Sequence, residues 1–334
     1  MLLSICIPSY NRGERARELV NDLLKLPYDE NQIEFVISNN GSTKYADAYS
    51  EISKIDDNRL CYHQFEENVG FMKNLNQVIR MSRGQYCLII SDEDCIDESQ
   101  LGKVLDILRS LVGVSFIKTK TSLFYADSEY LYAGKGHEAL ETFYMAGNYV
   151  SGIIYNRSIL TDEIINRYEE VYMDNQGYLN YPHMFYDAYM ALHGDFIQSD
   201  VLLIIEGKSE DDLQNNITEK QAINYNNYDN RIAQMNGFLD QVMDLDAGAG
   251  DKFYMFCKVC NKYLYMILLV HDSIRDNDES FLSALDRIRQ ELKRWIRILQ
   301  LPLTREEIES VDEYVDDEAA KIEQYAYSYM GHIN

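Results

Sequence analysis

Short apolar runs alternate with amphipathic segments along the first 110 residues of the chain. Buried-strand patterns cover Leu2 to Ile7, Ile33 to Ser38, Leu60 to Gln64 and Tyr86 to Ile90. Apolar residues then recur at helical spacing, which predicts helices over Glu14 to Leu26, Lys44 to Ile55, Met72 to Ser82 and Glu98 to Leu111. This order of elements predicts an α/β domain with a mostly parallel sheet flanked by helices.

The pattern is less regular in the next hundred residues. A strand is predicted at Val114 to Ile117, and the tyrosine-rich stretch from Lys118 to Asn148 has no regular period. A loop then enters a strand at Ile153, a helix begins at Pro182, and a last strand covers Val201 to Ile205. These elements extend the same sheet.

From about Asn215 onward the pattern is wholly helical. We predict four amphipathic helices, at Glu219 to Met243, Asp251 to Asp272, Glu279 to Leu299 and Thr304 to Tyr329. We therefore divide the chain into an α/β domain, residues 1–212, and a helical C-terminal domain, residues 213–334. The α/β domain has two halves, residues 1–110 and residues 111–212.

An aromatic stripe runs along the second of these helices. Stripes at helical spacing usually lie in a core, so we expect this one to pack on the α/β domain or on a second subunit. Contact with an acceptor or a membrane-bound partner is the alternative. The stripe consists of Phe253, Tyr254, Phe256, Tyr263, Tyr265 and Met266.

Composition and charge narrow the function. The 334 residues are 46% hydrophobic and 26% charged, as in an ordinary globular protein. The net charge of -24 argues against a general nucleic-acid binder, because such a surface would repel phosphates. The apolar run Tyr263 to Val270 is too short to cross a bilayer. With no signal-peptide pattern and cysteines mostly inside apolar runs, we expect a cytoplasmic protein, with peripheral contact at the inner face of the membrane.

Three consecutive carboxylates, Asp92, Glu93 and Asp94, follow the fourth predicted strand. Open α/β sheets bind their ligands at this end of their strands. Clustered carboxylates repel one another unless a cation joins them, and Mg²⁺ or Mn²⁺ prefers such oxygen ligands. The alternative is an acidic turn that caps the next helix.

Polar loops follow the other three strands as well. Pro8, Ser9, Tyr10 and Arg12 follow the first strand, and Asn39 ends the second. Tyr and Arg side chains can stack on a base and pair with a phosphate. The third strand is followed by a loop and helix start that could contact a nucleotide through Gly70, Lys73 and Asn74. Loops at one edge of a parallel sheet converge, which favours a ligand site.

The motifs Ser4 to Arg12, Ser38 to Ser42, Asn68 to Phe71 and Ser91 to Asp94 together resemble those of the family 2 glycosyltransferases. The resemblance is strong over about the first 110 residues, continues weakly to about residue 210, and is closest to the branch that builds bacterial surface polysaccharides. It implies a GT-A fold and inverting transfer of a sugar from a nucleoside diphosphate donor, expected to be a UDP-sugar. The implied acceptor is a glycan, lipid-linked or protein-linked.

The resemblance also implies roles for individual residues. Asp92 and Asp94 match the family's DxD motif, in which Mn²⁺ or Mg²⁺ bridges the protein to the donor diphosphate. Asn39 stands where the family most often has an Asp that reads uracil, which leaves the base of the nucleotide open, since an amide both donates and accepts. Lys208 follows the last predicted strand, Val201 to Ile205, and related enzymes carry a basic residue after the corresponding strand. The expected nucleotide or substrate contacts are Pro8, Ser9, Tyr10, Arg12, Asn39, Gly70, Lys73, Asn74, Asp92, Glu93 and Lys208.

An inverting transfer needs a general base for the acceptor hydroxyl. The family places it in a Glu-Asp pair at a helix start, and that pair is missing here. Counting back from Gly194 aligns His183 with the acid that the family usually has as the base. By residue type the base would be Asp187, which lies four residues further along on the same face of the helix. The two could also act together.

Two other functions are compatible with a related topology. A nucleotidyltransferase would carry a Gly-rich, Arg-containing first loop followed by Pro-Lys, which this chain lacks. A noncatalytic interaction subunit of a glycosyltransferase complex stays open, because the Glu-Asp pair is missing. For either function, we expect the helical C-terminal domain to support a complex or a homo-oligomer.

Overall fold

The four apolar runs of the first half form the strands β1 (Leu3–Ser9), β2 (Ile33–Asn39), β3 (Leu60–Gln64) and β4 (Tyr86–Ile89). They pair in parallel in the order β3-β2-β1-β4. Every residue of β1, β2 and β4 is buried, which explains their continuous apolar patterns. The carboxyl ends of these strands, with the loops described above, therefore lie along one edge of the sheet.

Helices follow each of these strands as the sequence predicts. They are α1 (Gly13–Leu24), α2 (Ala46–Ile52), α3 (Phe71–Met81) and α4 (Glu98–Ser110). The computed structural model describes residues 1–123, 127–147, 149–207, 227–274 and 278–330.

The second half of the sheet contains the strands β5 (Cys95–Ile96), β6 (Val114–Thr121), β7 (Leu131–Ala133), β8 (Ile153–Asn156) and β9 (Asp195–Ile205). The order continues β4-β8-β6-β9-β5, and β7 pairs with β9. β8 is antiparallel to both of its neighbours, because the chain enters it at the edge where β4 ends. The sheet is therefore parallel in its first half, as predicted, and mixed as a whole.

Four helices of the second half cover the face of the sheet opposite to α1 and α4. The stretch that lacks a regular period contains α5 (His137–Phe143) as well as β7. Two short helices that the sequence analysis does not predict follow β8, namely α6 (Asp162–Val171) and α7 (Gln176–Asn180). The predicted helix at Pro182 is α8 (Pro182–His193), which lies directly before β9.

The C-terminal part contains the helices α9 (Tyr228–Asp244), α10 (Ala249–Ile274), α11 (Asp278–Ile298) and α12 (Arg305–Met330), near the expected positions. The first of them was predicted from Glu219, and residues 219–226 lie outside the described residues. Their buried apolar side chains join those of α8 and of one sheet face in a single hydrophobic cluster. Phe238 of α9 packs on Phe185 of α8, with 4.9 Å between ring centroids. Most of the aromatic stripe on α10 takes part in this packing.

Within the part of the chain that the structure describes, one helix is long and apolar enough to cross a bilayer by length and composition. It corresponds to Ala249–Ser273 in α10, and half of its most apolar window is buried against the rest of the protein. A core helix of a globular protein has the same properties, so this is weak evidence for a membrane span.

Candidate active site

Asp92 lies at the carboxyl end of β4, where two residues of the first loop hold its carboxylate. Ser9 Oγ donates to Asp92 Oδ2 at 2.5 Å, and Arg12 Nη1 donates to Asp92 Oδ1 at 3.1 Å. The Tyr49 hydroxyl lies 2.6 Å from the same Ser9 oxygen. Asp92 is 2% exposed, and these hydrogen bonds offset the free-energy cost of burying its charge.

Asp94 is held from the other side, by the segment that leads into β8. The Tyr149 hydroxyl and Ser151 Oγ donate to Asp94 Oδ2 at 2.6 and 2.5 Å. The backbone N–H of Gly207 donates to Asp94 Oδ1 at 3.1 Å. The backbone N–H of Ser91 also donates to Ser151 Oγ, so Ser151 connects the two sides of the loop.

Glu93 points toward two arginines of the first half of the chain. Its Oε2 lies 3.5 Å from Arg12 Nη2 and 3.7 Å from Arg15 Nη1. Burial raises the pKa of the Glu93 carboxyl, the Arg12 charge lowers it, and the neighbouring charges of Asp92 and Asp94 raise it further. Arg12 therefore forms ion pairs with two of the three acids.

The other predicted nucleotide contacts differ in exposure. Asn39 is buried, donates from Nδ2 to the Tyr62 hydroxyl and accepts from the Ser42 N–H. Asn74 is also buried and donates to the Ser9 carbonyl at 3.2 Å, so it supports the first loop from behind.

Gly70 has φ +90° and precedes α3, with open space where a Cβ would lie. The close approach of a ligand is therefore compatible with this position. Lys73 is exposed, Pro8 is buried and Tyr10 is half-buried. Lys208 lies outside the described residues.

The acids fit a divalent ion only in part. Carboxylate oxygens are the ligands that Mg²⁺ and Mn²⁺ prefer. Within the described ranges, no three His, Cys, Asp or Glu side chains gather as a metal-binding group. Because Mg²⁺ is commonly held by one or two carboxylates together with substrate phosphates, Asp92 and Asp94 fit an ion that arrives with a diphosphate.

A second acidic centre lies on α8. Asp187 Oδ1 accepts a hydrogen bond of 2.6 Å from the Tyr155 hydroxyl of β8, which also lies 3.1 Å from the backbone carbonyl of His183. Both His183 and Asp187 are buried, at 3% and 6% exposure. Burial raises the pKa of the Asp187 carboxyl to about 7, while the Tyr155 hydrogen bond and the charge of Lys118 oppose the rise.

Lys118 lies between the two acidic centres. It is fully buried on β6, and its Nζ donates to the backbone carbonyls of Tyr149 at 2.8 Å and Ser151 at 2.6 Å. Burial lowers the pKa of the Lys118 ammonium to about 7, while the carboxylates of Asp187, Glu206 and Asp94 raise it.

The structure thus brings together Ser9, Arg12, Asp92, Glu93 and Asp94 as the sequence predicts. It also adds partners that the sequence analysis does not assign, namely Arg15, Tyr49, Lys118, Tyr149, Ser151, Tyr155 and Gly207. Lys118 occupies the same face of β6 as the apolar residues Val114 and Phe116. A lysine at an alternate position of an apolar strand is the sequence signal that could have revealed it.

Comparisons with known proteins point to one family. Residues 4–160 match the family described as "Glycosyl transferase family 2". The abequosyltransferase RfbV of Salmonella typhimurium is 30% identical over 102 residues, which is 30% of this chain and 31% of RfbV. WcaA of Escherichia coli, provisionally named a colanic acid biosynthesis glycosyl transferase, is 24% identical over 180 residues. That match covers 52% of this chain and 61% of WcaA, so the chain spans less than two thirds of either relative.

The same fold occurs in a solved structure. The crystal structure of S. aureus TarS 1-349 in complex with UDP-GlcNAc has a TM-score of 0.64 and 16% sequence identity. The match covers 98% of this chain and 92% of that one, so the C-terminal helices are included. This likeness confirms the expected GT-A fold with its helical extension.

Proposed function

The chain belongs to glycosyltransferase family 2 through its residues 4–160, and we propose that it is an inverting enzyme that transfers a sugar from a nucleoside diphosphate donor. The observation that carries this proposal is the cluster of Asp92, Glu93 and Asp94 beside Arg12 at the carboxyl end of β4. A diphosphate needs cationic partners, and acids at this position can recruit a divalent ion.

The donor we propose is a UDP-sugar. TarS, which shares the fold, was crystallised with UDP-GlcNAc. The buried Asn39 amide lies at the end of β2, where it can meet the base edge, with one further lone pair on its oxygen beyond the Ser42 hydrogen bond. That oxygen is suited to accept from the N–H of a uracil ring.

Asp92 and Asp94 would hold Mn²⁺ or Mg²⁺ together with the donor diphosphate. When bound, such an ion stabilises the negative charge on the leaving nucleoside diphosphate. Arg12 contributes a second positive charge at the same end of the site, because its guanidinium lies between Asp92 and Glu93.

The proton of the acceptor hydroxyl goes to the pair of His183 and Asp187 on α8. The acceptor oxygen attacks the anomeric carbon as the bond from that carbon to the diphosphate oxygen breaks, and the pair takes the proton. Both residues have suitable chemistry, since a base works best with a pKa near the working pH. For Asp187, burial provides such a value.

The acceptor we propose is a growing surface glycan, lipid-linked or protein-linked. WcaA, one of the relatives, is named for colanic acid biosynthesis. We further propose that the reaction takes place in the cytoplasm, with the protein peripheral at the inner face of the membrane.

Assays of donor hydrolysis and nucleotide binding with a panel of sugar nucleotides, with and without Mn²⁺, test this proposal directly. We expect slow hydrolysis of one donor by the purified protein, and metal-dependent binding of the corresponding nucleoside diphosphate. A panel with neither turnover nor metal-dependent nucleotide binding would instead favour a noncatalytic interaction subunit of a glycosyltransferase complex.

A further inference from the structure

A buried lysine on a central strand is costly, and Lys118 is fully buried on β6. It pairs with Ile153 of β8 and with Gln198 of β9, so neither edge of its strand is open to water. Desolvating an ammonium group costs several kcal/mol unless partners compensate, whereas a Met of similar length would fill the same space without that cost. Such a residue calls for a functional explanation.

We propose that Lys118 is a positioning residue that holds the backbone at Tyr149 and Ser151 against Asp94 and, at its other side, places a positive charge near the carboxyl group of Asp187. It would thereby connect the diphosphate-binding end of the site to the proton-accepting end. This proposal rests on the function proposed above.

The first connection runs through hydrogen bonds. Lys118 Nζ donates to the carbonyl of Tyr149 and to that of Ser151, and its charge lies 5.7 Å from the centre of the Tyr149 ring. The side chains of the same two residues donate to Asp94. One ammonium group thus fixes both residues that orient Asp94.

The second connection is electrostatic. Lys118 pairs with Ile153 of β8, and Tyr155, two residues further on the same face of that strand, donates to Asp187 at 2.6 Å. Asp187 is the first among the carboxylates that favour the charged form of Lys118, ahead of Glu206 and Asp94.

Two groups on neighbouring strands act on Asp187, namely the Tyr155 hydroxyl of β8 through its hydrogen bond and Lys118 of β6 through its charge. His183 lies one turn earlier on α8 itself. Removing Lys118 would leave Asp187 with the Tyr155 hydrogen bond but without the lysine charge, so protonation of Asp187 would be favoured.

The test uses Lys118→Met and Lys118→Arg in the full-length protein, assayed with the donor that the wild-type protein turns over. For Lys118→Met we expect kcat/KM to fall about 10- to 100-fold. We also expect the donor KM to rise, and the acidic limb of the pH profile to move to higher pH because the Asp187 pKa rises. Lys118→Arg should restore the position of that limb, since it keeps the charge.

Two further variants separate the two connections. Tyr149→Phe and Ser151→Ala each remove one hydrogen bond to Asp94 but leave Lys118 and Asp187 in place. We expect them to raise the donor KM without moving the acidic limb. They also keep the proposal testable if Lys118→Met fails to fold.

The matched control is Lys262→Met. Lys262 also has its pKa lowered by burial, to about 8, and donates to a backbone carbonyl, that of Met145. We expect this variant to lower the melting temperature and leave the pH profile unchanged. A Lys118→Met protein with the wild-type donor KM and pH profile would overturn the proposal.

The two proposals fail in different ways. If the wild-type protein turns over no donor, the proposed function is wrong, and Lys118 has no reaction to support. If the wild-type protein is active and only the melting temperature changes in Lys118→Met, the function stands and the role of Lys118 is purely structural.

Discussion

Two acidic centres of this protein contain the same side chain in different surroundings. Asp94 accepts three hydrogen bonds, from Tyr149, Ser151 and the Gly207 N–H. Asp187 is equally buried but accepts from the Tyr155 hydroxyl, with Lys118 as its charged neighbour. For Asp187, burial favours the protonated form of the carboxyl.

We propose different tasks for these two chemically identical groups. A carboxylate surrounded by donors at the end of β4 suits the binding of a cation and a diphosphate. A carboxyl whose pKa is raised to about 7 can exchange a proton near neutral pH. The predictions below test whether the two centres can be separated experimentally.

We expect the largest loss of activity from a change at Asp94, in the proposed diphosphate-binding part of the site. Asp94→Asn keeps the shape of the side chain but removes its charge, so the site loses its main attraction for a divalent ion. We expect kcat/KM to fall about 10³-fold, a typical loss for removing a transition-state contact. Titration calorimetry with UDP and Mn²⁺ should also show weaker metal-dependent binding.

The control for this variant lies three residues further along the chain. Asp97 caps α4 by accepting from the Ser99 N–H at 2.9 Å, a role that Asn performs as well. Asp97→Asn should therefore retain near wild-type activity. Equal losses in both variants would contradict a special role for Asp94.

We expect a smaller loss of activity from changes at the proposed base, His183 or Asp187. We expect His183→Ala or Asp187→Asn to lower kcat about 10²-fold, the lower range for general-base catalysis, with little change in nucleotide binding. The variant with the larger loss identifies the base. Near-normal rates in both variants would refute this placement.

The pH profile gives an independent reading of the same centre. A base must be deprotonated to act, so an Asp187 pKa of about 7 predicts that kcat/KM decreases as the pH falls through 7. The acidic limb should change in Asp187→Asn and stay in place in Tyr149→Phe.

The smallest effect concerns the support of α8. Gly237 of α9 touches α7 so closely that an added Cβ would lie 2.1 Å from Asn175 Oδ1 and 2.7 Å from the Gly177 nitrogen. We expect Gly237→Ala to destabilise the fold by about 1–3 kcal/mol, measured by urea unfolding.

Its control is another glycine of the helical extension. At Gly250 an added Cβ would have no heavy atom within 4 Å apart from its chain neighbours and the backbone of its own helix, so Gly250→Ala should leave stability unchanged or raise it by up to about 1 kcal/mol. If both variants unfold at the same urea concentration, α9 and α7 are not tightly packed in solution.

The first half of the fold could be predicted because its signals are local. Continuous apolar runs identify β1, β2 and β4, since both faces of these strands are covered by helices. The second half was harder to predict. β8 and β7 are three or four residues long, and the direction of β8 depends on which edge of the sheet the chain returns to.

The same contrast holds within the candidate site. Parallel strands must end at one edge, so the sequence predicts that Ser9 and Arg12 meet Asp92, although more than 80 residues separate Ser9 from Asp92. Ser151 lies 57 residues from Asp94, with an antiparallel strand after it, and no local pattern predicts their contact.

By itself, the sequence determined the strands β1 to β4 with the helices that follow them, and the placement of three acids after β4, because these follow from local periodicity. Only the tertiary structure decided which acids are surrounded by donors and which are merely buried. Hydrogen-bond partners and desolvation come from segments far apart in the chain. Lys118 shows this most clearly, since one buried charge lies near Asp94 and Asp187 only once β6, β8 and α8 have packed together.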